Sequence, residues 1–265
     1  MSNPIRNLAA SSAVALLLAA CSGGDATGPA GAELLLNADI AQLAVQGAAA
    51  DIEVMGGPAG RGMPGFGLFG VALNGPGGPF AARDLGCRQL TTPVLTITRT
   101  CTFTDASGAT QTSYDPTTTA AARIETTIAG TMAHQNWTAA LERSSDVTVS
   151  GLAGAETQRT WNGSGAESVS RSRHTEGQGS RAYMADITVT ITNVVVPVPS
   201  GPDTWPLSGS ITRTMAGEIT EGPRAGETIA RTATITFNGT STVTMTINGE
   251  SFEVDLAARR AERRR

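Results

Sequence analysis

Lysine is missing from this chain: all 19 basic residues are arginine. That absence reports codon bias in a GC-rich genome and leaves function open. Histidine is nearly missing too, with only His134 and His174, and no H-E-x-x-H, G-x-S-x-G, Walker A, EF-hand or dinucleotide-binding pattern occurs. Two histidines and scattered carboxylates assemble no catalytic site, so the expectation is a protein that is not an enzyme and calls for no cofactor or metal. Aromatic residues amount to 4%, which leaves Ile, Val, Leu, Met and Ala to build the core. The net charge is −4, yet five of the 19 arginines fall within the last seven residues and Arg6 within the first ten, so the body between them is more acidic than the total. An acidic body without a basic stripe argues against nucleic acid as a partner.

What is present begins with a leader. Arg6 and the amino terminus precede an apolar run, Leu8 to Ala20, interrupted only by Ser11 and Ser12. The run is too short to span a bilayer as a mature helix and has the build of a signal peptide over residues 1–20. Leu18-Ala19-Ala20-Cys21 at its end resembles the lipobox of bacterial lipoproteins. The resemblance implies cleavage before Cys21 and a diacylglyceryl, palmitate-bearing cysteine that ties the protein to a lipid bilayer, each buried CH₂ contributing about 0.8 kcal/mol. Ser22 stands where the resemblance places an inner-membrane retention aspartate, which directs the expectation to the outer membrane of a bacterial cell envelope. The alternative is a plain secretory signal that leaves Cys21 free. Residues 21–32, with Asp25 as their only charge, read as a flexible tether on the order of 20 Å long.

With Cys21 lipidated, Cys87 and Cys101 remain, and in an exported protein they read as a disulfide. Closing a loop of about 15 residues contributes on the order of 3 kcal/mol. A metal or redox pair is the rival reading, but the spacing is not C-x-x-C and no histidine lies near.

Residues 33–258 read as one β-rich domain. A helix is expected over 38–55, with Asn37 as N-cap, Gly56-Gly57 as its stop, and Ile40, Leu43, Ala44, Gly47, Ala48, Asp51 or Ile52, and Met55 along one face. Residues 56–79 are rich in Gly and Pro yet contain Phe66 and Phe69, so they read as a loop over the core, a flap over a cavity, or a poorly ordered connection. From Leu90 onward strand follows strand, "TPVLTITRTCTFTDASGATQTSY" being a strand, a turn at 105–108 and a return strand. "DVTVSGLAG", "ETQRTWNGSG", "ESVSRSRHTEG" and "MADITVTITNV" continue the pattern, followed by a Pro-rich connection from Val194 to Pro206.

Parity sharpens the C-terminal part. A two-residue turn at Asn248-Gly249 pairs Ile247 with Glu250 and therefore Met245 with Phe252 and Val243 with Val254, all on one face. At Asn238-Gly239 the same turn would break the match, so an odd loop is expected, three residues long with a bulge at Gly239. The opposite face is nearly all threonine: Thr232, Thr234 and Thr236 beside Thr242, Thr244 and Thr246. Such ladders resemble the ice-binding surfaces of some antifreeze proteins; they also suit any solvated strand face. Residues 259–265 read as a basic tail, frayed or resting on anionic lipid.

A few smaller signals complete the reading. Gly163-Ser164-Gly165 looks like a nucleophile loop but lacks the strand–elbow–helix context and reads as a turn. The N-x-[ST] sequons at Asn136, Asn162 and Asn238 carry no message in a bacterial lipoprotein, the last two being explained by Asn-Gly turns. Trp137, Trp161 and Trp205, with Phe66 and Phe69, are the candidate ligand contacts, each with core or loop packing as its alternative.

The stretches "WPLSGSITR" and "FNGTSTVTMTINGESFEVDL" resemble uncharacterised exported lipoproteins of GC-rich bacteria, a resemblance that covers the C-terminal half and implies address alone. The expected fold is mainly β: a large antiparallel meander of eight to ten strands forming a curved sheet or an open or partly closed barrel, with one N-terminal α-helix packed on it. In outline this resembles the half-barrel lipid carriers that move lipoproteins to the outer membrane. Three functions follow: a sheet that binds an apolar ligand or a partner protein, a surface module that uses the Thr-rich face, or a hydrolase built around a histidine.

Overall fold

The computed structural model describes residues 40–41, 43–52, 55, 90–91, 95–134, 137–152, 154–175, 179–198, 204–222, 224–258 and 260–263. The chain divides into two compact units, Met1–Leu35 and Leu36–Arg265, and all described residues belong to the second. Cys21, Phe66, Phe69 and Cys87 lie outside the described residues.

Residues 40–41 and 43–52 form helix α1. Twelve strands follow: β1 (Leu90–Thr91), β2 (Leu95–Asp105), β3 (Thr110–Gln111), β4 (Thr119–His134), β5 (Trp137–Ser150), β6 (Gln158–Thr175), β7 (Gly179–Pro197), β8 (Ser208–Glu221), β9 (Thr228–Thr236), β10 (Thr242–Ile247), β11 (Glu250–Asp255) and β12 (Arg260–Arg263). They make one curved, open, antiparallel sheet in the order β1-β2-β4-β5-β6-β7-β8-β9-β10-β11-β12, with β3 attached to β2. Apart from β3, chain order and spatial order coincide, as the expected meander requires.

Alternation along each strand produces the two faces. On the inner face, Ile124, Val147, Gly163, Ile191, Ile211, Ile235, Met245 and Phe252 stand in register from β4 to β11. Nearly all of these side chains are buried. Helix α1 packs on this face. Contrary to the single apolar face expected of it, its described residues are buried almost all round, Ala41, Val45, Ala49 and Ala50 included. The reason is in its composition: before Asp51 it has no charge to turn toward water.

The β10–β11 hairpin has the expected register, Ile247 opposite Glu250, Met245 opposite Phe252 and Val243 opposite Val254, and Asn248 adopts φ +46° as its tight turn demands. The β9–β10 loop has odd length as expected, since Ile235 opposes Met245. It is longer than three residues, because Phe237 stays buried beyond the strand end and Asn238 folds back, its Nδ2 donating to Thr242 O at 3.0 Å.

Three other expectations are corrected. Gly163-Ser164-Gly165 is no turn: the two strands expected around it are one, β6. The Pro-rich connection starts later than Val194, because Asn193 (φ +48°) inserts an extra residue into β7. The buried positions of β7 then switch from odd (Ile187, Val189, Ile191) to even (Val194, Val196), and the strand runs on to Pro197. Gly209 on β8 makes this bulge possible, since a Cβ there would collide with the carbonyl of Asn193. Finally, residues 260–263 of the basic tail are not frayed but form β12, with Ala261 opposite Val254.

Candidate functional site

One layer of the inner face is ionic. Arg143 on β5 and Glu167 on β6 are direct cross-strand neighbours, in the row that also holds Ile128, Ile187 and Met215. Arg213 on β8 stands in the adjacent row, between the buried Ile211 and Met215 of its own strand. Arg99 on β2, also buried and also engaged, lies in that same row.

Helix α1 adds Asp51, which joins Arg143, Glu167 and Arg213 into one cluster. Asp51 is 2% exposed; its Oδ1 accepts from Arg143 Nη2 and its Oδ2 from Arg213 Nη1 at 3.1 Å. The other terminal nitrogen of Arg213 donates to Glu167 Oε2 at 2.5 Å. Two guanidinium groups and two carboxylates thus neutralise one another at the joint between helix and sheet. Burial by itself pulls down the pKa of Arg213, 1% exposed, but Glu167 and then Asp51 more than offset it, so the net direction is upward and the group stays charged.

Helix geometry explains how Arg213 fits. Gly47 lies one turn before Asp51 on the same side of α1, and a Cβ on Gly47 would overlap the Arg213 guanidinium. Glycine costs about 1 kcal/mol against alanine inside a helix; here the missing side chain is the space the guanidinium occupies. In the interior, Gln46 Oε1 on the helix and Trp161 Nε1 on β6 have no hydrogen-bond partner among the described residues.

The outer face has different chemistry. Thr100, Glu125, Asp146, Ser164, Thr190, Thr212, Thr234, Thr246 and Ser251 form one row in register across nine strands. Hydroxyls join neighbours, as between Thr212 and Thr234 at 3.1 Å. An open hollow of about 480 Å³ lies over β2, β4, β5 and β6, lined by Thr98, Thr100, Thr127, Ser144 and Ser164 with Glu125 and Asp146. Arg123 Nη2 bonds both acids, at 3.1 Å to Glu125 and 2.6 Å to Asp146. That hydrogen bond holds the Asp146 carboxyl below its usual pKa. Among the described residues only Met184 and Leu207 are large apolar side chains left exposed.

The sequence-derived candidates do not converge. Trp161 is a core residue, buried on β6, and Trp205 is half-buried against the core. The side chains of Trp137, His134 and His174 lie outside the described residues, although their backbones sit on β5, β4 and β6. Asn162, expected in a turn, lies inside β6 and accepts from the Asn193 N–H at 2.8 Å. Cys101 is half-buried on β2 against the core. Among the described residues no group of three or more His, Cys, Asp or Glu is placed to hold a metal, and no helix is long and apolar enough to cross a membrane.

The ionic layer was absent from the sequence reading, yet its signal was there. Arg99, Arg143, Glu167 and Arg213 all occupy the parity of the buried positions in their strands, alongside Ile97, Leu141, Val169 and Ile211. A charge in phase with the apolar residues of a strand is either an outward slip or a buried ion. No family model, curated protein or solved structure matches this chain.

Proposed function

We propose that this chain is a lipid-anchored, non-enzymatic protein of the bacterial cell envelope, held at the outer membrane through Cys21, whose curved sheet binds an apolar ligand on the face that α1 occupies. One observation carries the ligand reading: a slim helix, mostly Ala and larger apolar residues with Gln46 and Gly47, packs on the inner face and is fastened there by an ionic joint at Asp51. Without the helix, apolar rows spanning β4 to β11 have nothing among the described residues over them, so this face is where an apolar ligand would bind in place of the helix. The anchor rests on the leader and the lipobox-like Leu18-Ala19-Ala20-Cys21. The disulfide between Cys87 and Cys101 belongs to the same proposal, supported by their spacing in an exported chain.

The test uses the mature protein in phosphatidylcholine nanodiscs and a neutral dodecanol carrying a photoactivatable diazirine. Labelling of inner-face peptides from β7, β8 and β10 that excess dodecanol suppresses supports the ligand reading; labelling confined to the lipid-attached N-terminus sinks it. For the anchor, Cys21→Ser is expected to abolish the diacylglyceryl mass on the mature protein. A second reading, a surface module acting through its hydroxyl face, draws on the row of hydroxyl and carboxylate side chains that crosses the outer side from β2 to β11. It gains if inner-face labelling fails.

A further inference from the structure

The geometry points to an amphiphile with one anionic headgroup as the ligand, its carboxylate or phosphate taking the place of the Asp51 carboxylate between Arg143 and Arg213. This rests on the reading that the inner face takes an apolar ligand, and it specifies the head of that ligand.

Helix α1 itself outlines the chemistry. From Ile40 to Ala50 it is a rod about 16 Å long with no charged residue, polar only at Gln42 and Gln46, and Asp51 follows as the carboxylate that the sheet binds. That carboxylate meets two guanidinium groups, one from β5 and one from β8. If Asp51 leaves, Arg143, Arg213 and Glu167 remain, a buried set with one positive charge in excess. An uncompensated charge in the interior is costly, so a neutral or cationic occupant is disfavoured there. One carboxylate restores neutrality, a phosphate monoester brings up to one further negative charge, and both meet the donors in the fork geometry that guanidinium offers. Apolar rows on either side of the ionic layer accept the tail: Cys101, Ile124, Val147 and Ile191 on one side, Leu141 and Val169 on the other. The ligand class is therefore a fatty acid or an alkyl phosphate monoester, not a neutral lipid.

The same photolabelling supplies the test, with unlabelled dodecanoate, dodecyl phosphate, dodecanol and dodecyltrimethylammonium as competitors at pH 7.5. Either anion is expected to suppress inner-face labelling at one-tenth or less of the dodecanol concentration, with the cation weakest. The tighter of the two anions names the headgroup. In Arg213→Met the anion advantage is expected to fall below threefold. In Asp51→Asn, which removes the resident carboxylate and preserves its shape, the advantage is expected to widen at least threefold, so the proposal stays testable if Arg213→Met does not fold. Equal competition by dodecanoate, dodecyl phosphate and dodecanol overturns the headgroup inference while leaving the apolar reading intact. So does an anion advantage that Asp51→Asn leaves unchanged. Absence of inner-face labelling by the neutral probe removes the reading beneath it.

Discussion

The two faces of this sheet use the same strands to opposite ends. The outer face spends threonine and serine at positions where many residues would serve, and its ion pairs stand in water: Arg123, Glu125 and Asp146 are about half exposed. The inner face places its charges where water cannot reach, and Asp51, Arg143, Glu167 and Arg213 are bonded across elements distant in sequence. Exposed pairs of the first kind contribute little, whereas a buried pair is costly to break. Charge on the inner face thus fixes where the helix lies, while charge on the outer face decorates.

If that contrast is right, the largest loss comes from Arg213→Met, which leaves Asp51 and Glu167 facing each other with only Arg143 between them. A destabilisation of about 3–5 kcal/mol is expected, read as the shift of a denaturant midpoint. Ile235→Ala, in the apolar row beside the ionic layer, is expected to cost about 2–5 kcal/mol, while its outward neighbour Thr234→Ala stays within about 0.5 kcal/mol. Comparable losses for Ile235 and Thr234 would dissolve the distinction between the faces. Gly47→Ala sharpens the comparison from the helix side. Helix propensity alone predicts a gain of about 1 kcal/mol, but the overlap with the Arg213 guanidinium predicts a net loss of about 1–3 kcal/mol. Thermal unfolding of the single variant and of its combination with Arg213→Met should show that the loss disappears once the guanidinium is gone.

The smallest effect belongs to the turns at the outer edge. The Ser107 hydroxyl and the Ala109 N–H hold Asp105 below its usual pKa, and Thr117 does the same for Asp115. A carboxyl whose folded pKa is depressed stabilises above the usual value near 3.8, and that contribution is lost as the pH falls through the lower folded value. Hydrogen exchange in residues 105–119 is therefore expected to rise below pH 4 before exchange in β7 and β8 changes.

The sheet was legible because its strands alternate and its turns are signed. Parity alone gave the β10–β11 register, and the odd β9–β10 loop followed from the same count. Two features escaped for physical reasons. The bulge at Asn193 reverses the parity of Val194 and Val196, and a reader following alternation loses the strand at that point. The ionic layer escaped because charge on a strand is normally an outward signal; what makes Arg213 inward is a carboxylate 162 positions away in the chain, a pairing that only tertiary structure brings about. Asp51 was counted among the apolar positions of the helix face, and its position was right although its chemistry went unread.

An open sheet has two ends, and each end presents unpaired backbone groups to any other chain that can add a strand. One end here is β1, only two residues long. The other is β12, where Arg260 and Glu262 alternate with Ala261 and bond each other at 3.0 Å on the exposed side. Arg260 and Arg263, read from the sequence as part of a frayed or lipid-resting tail, belong to this edge strand instead. Charged side chains on an edge strand discourage another strand from pairing there, and Arg260 and Glu262 supply them on β12.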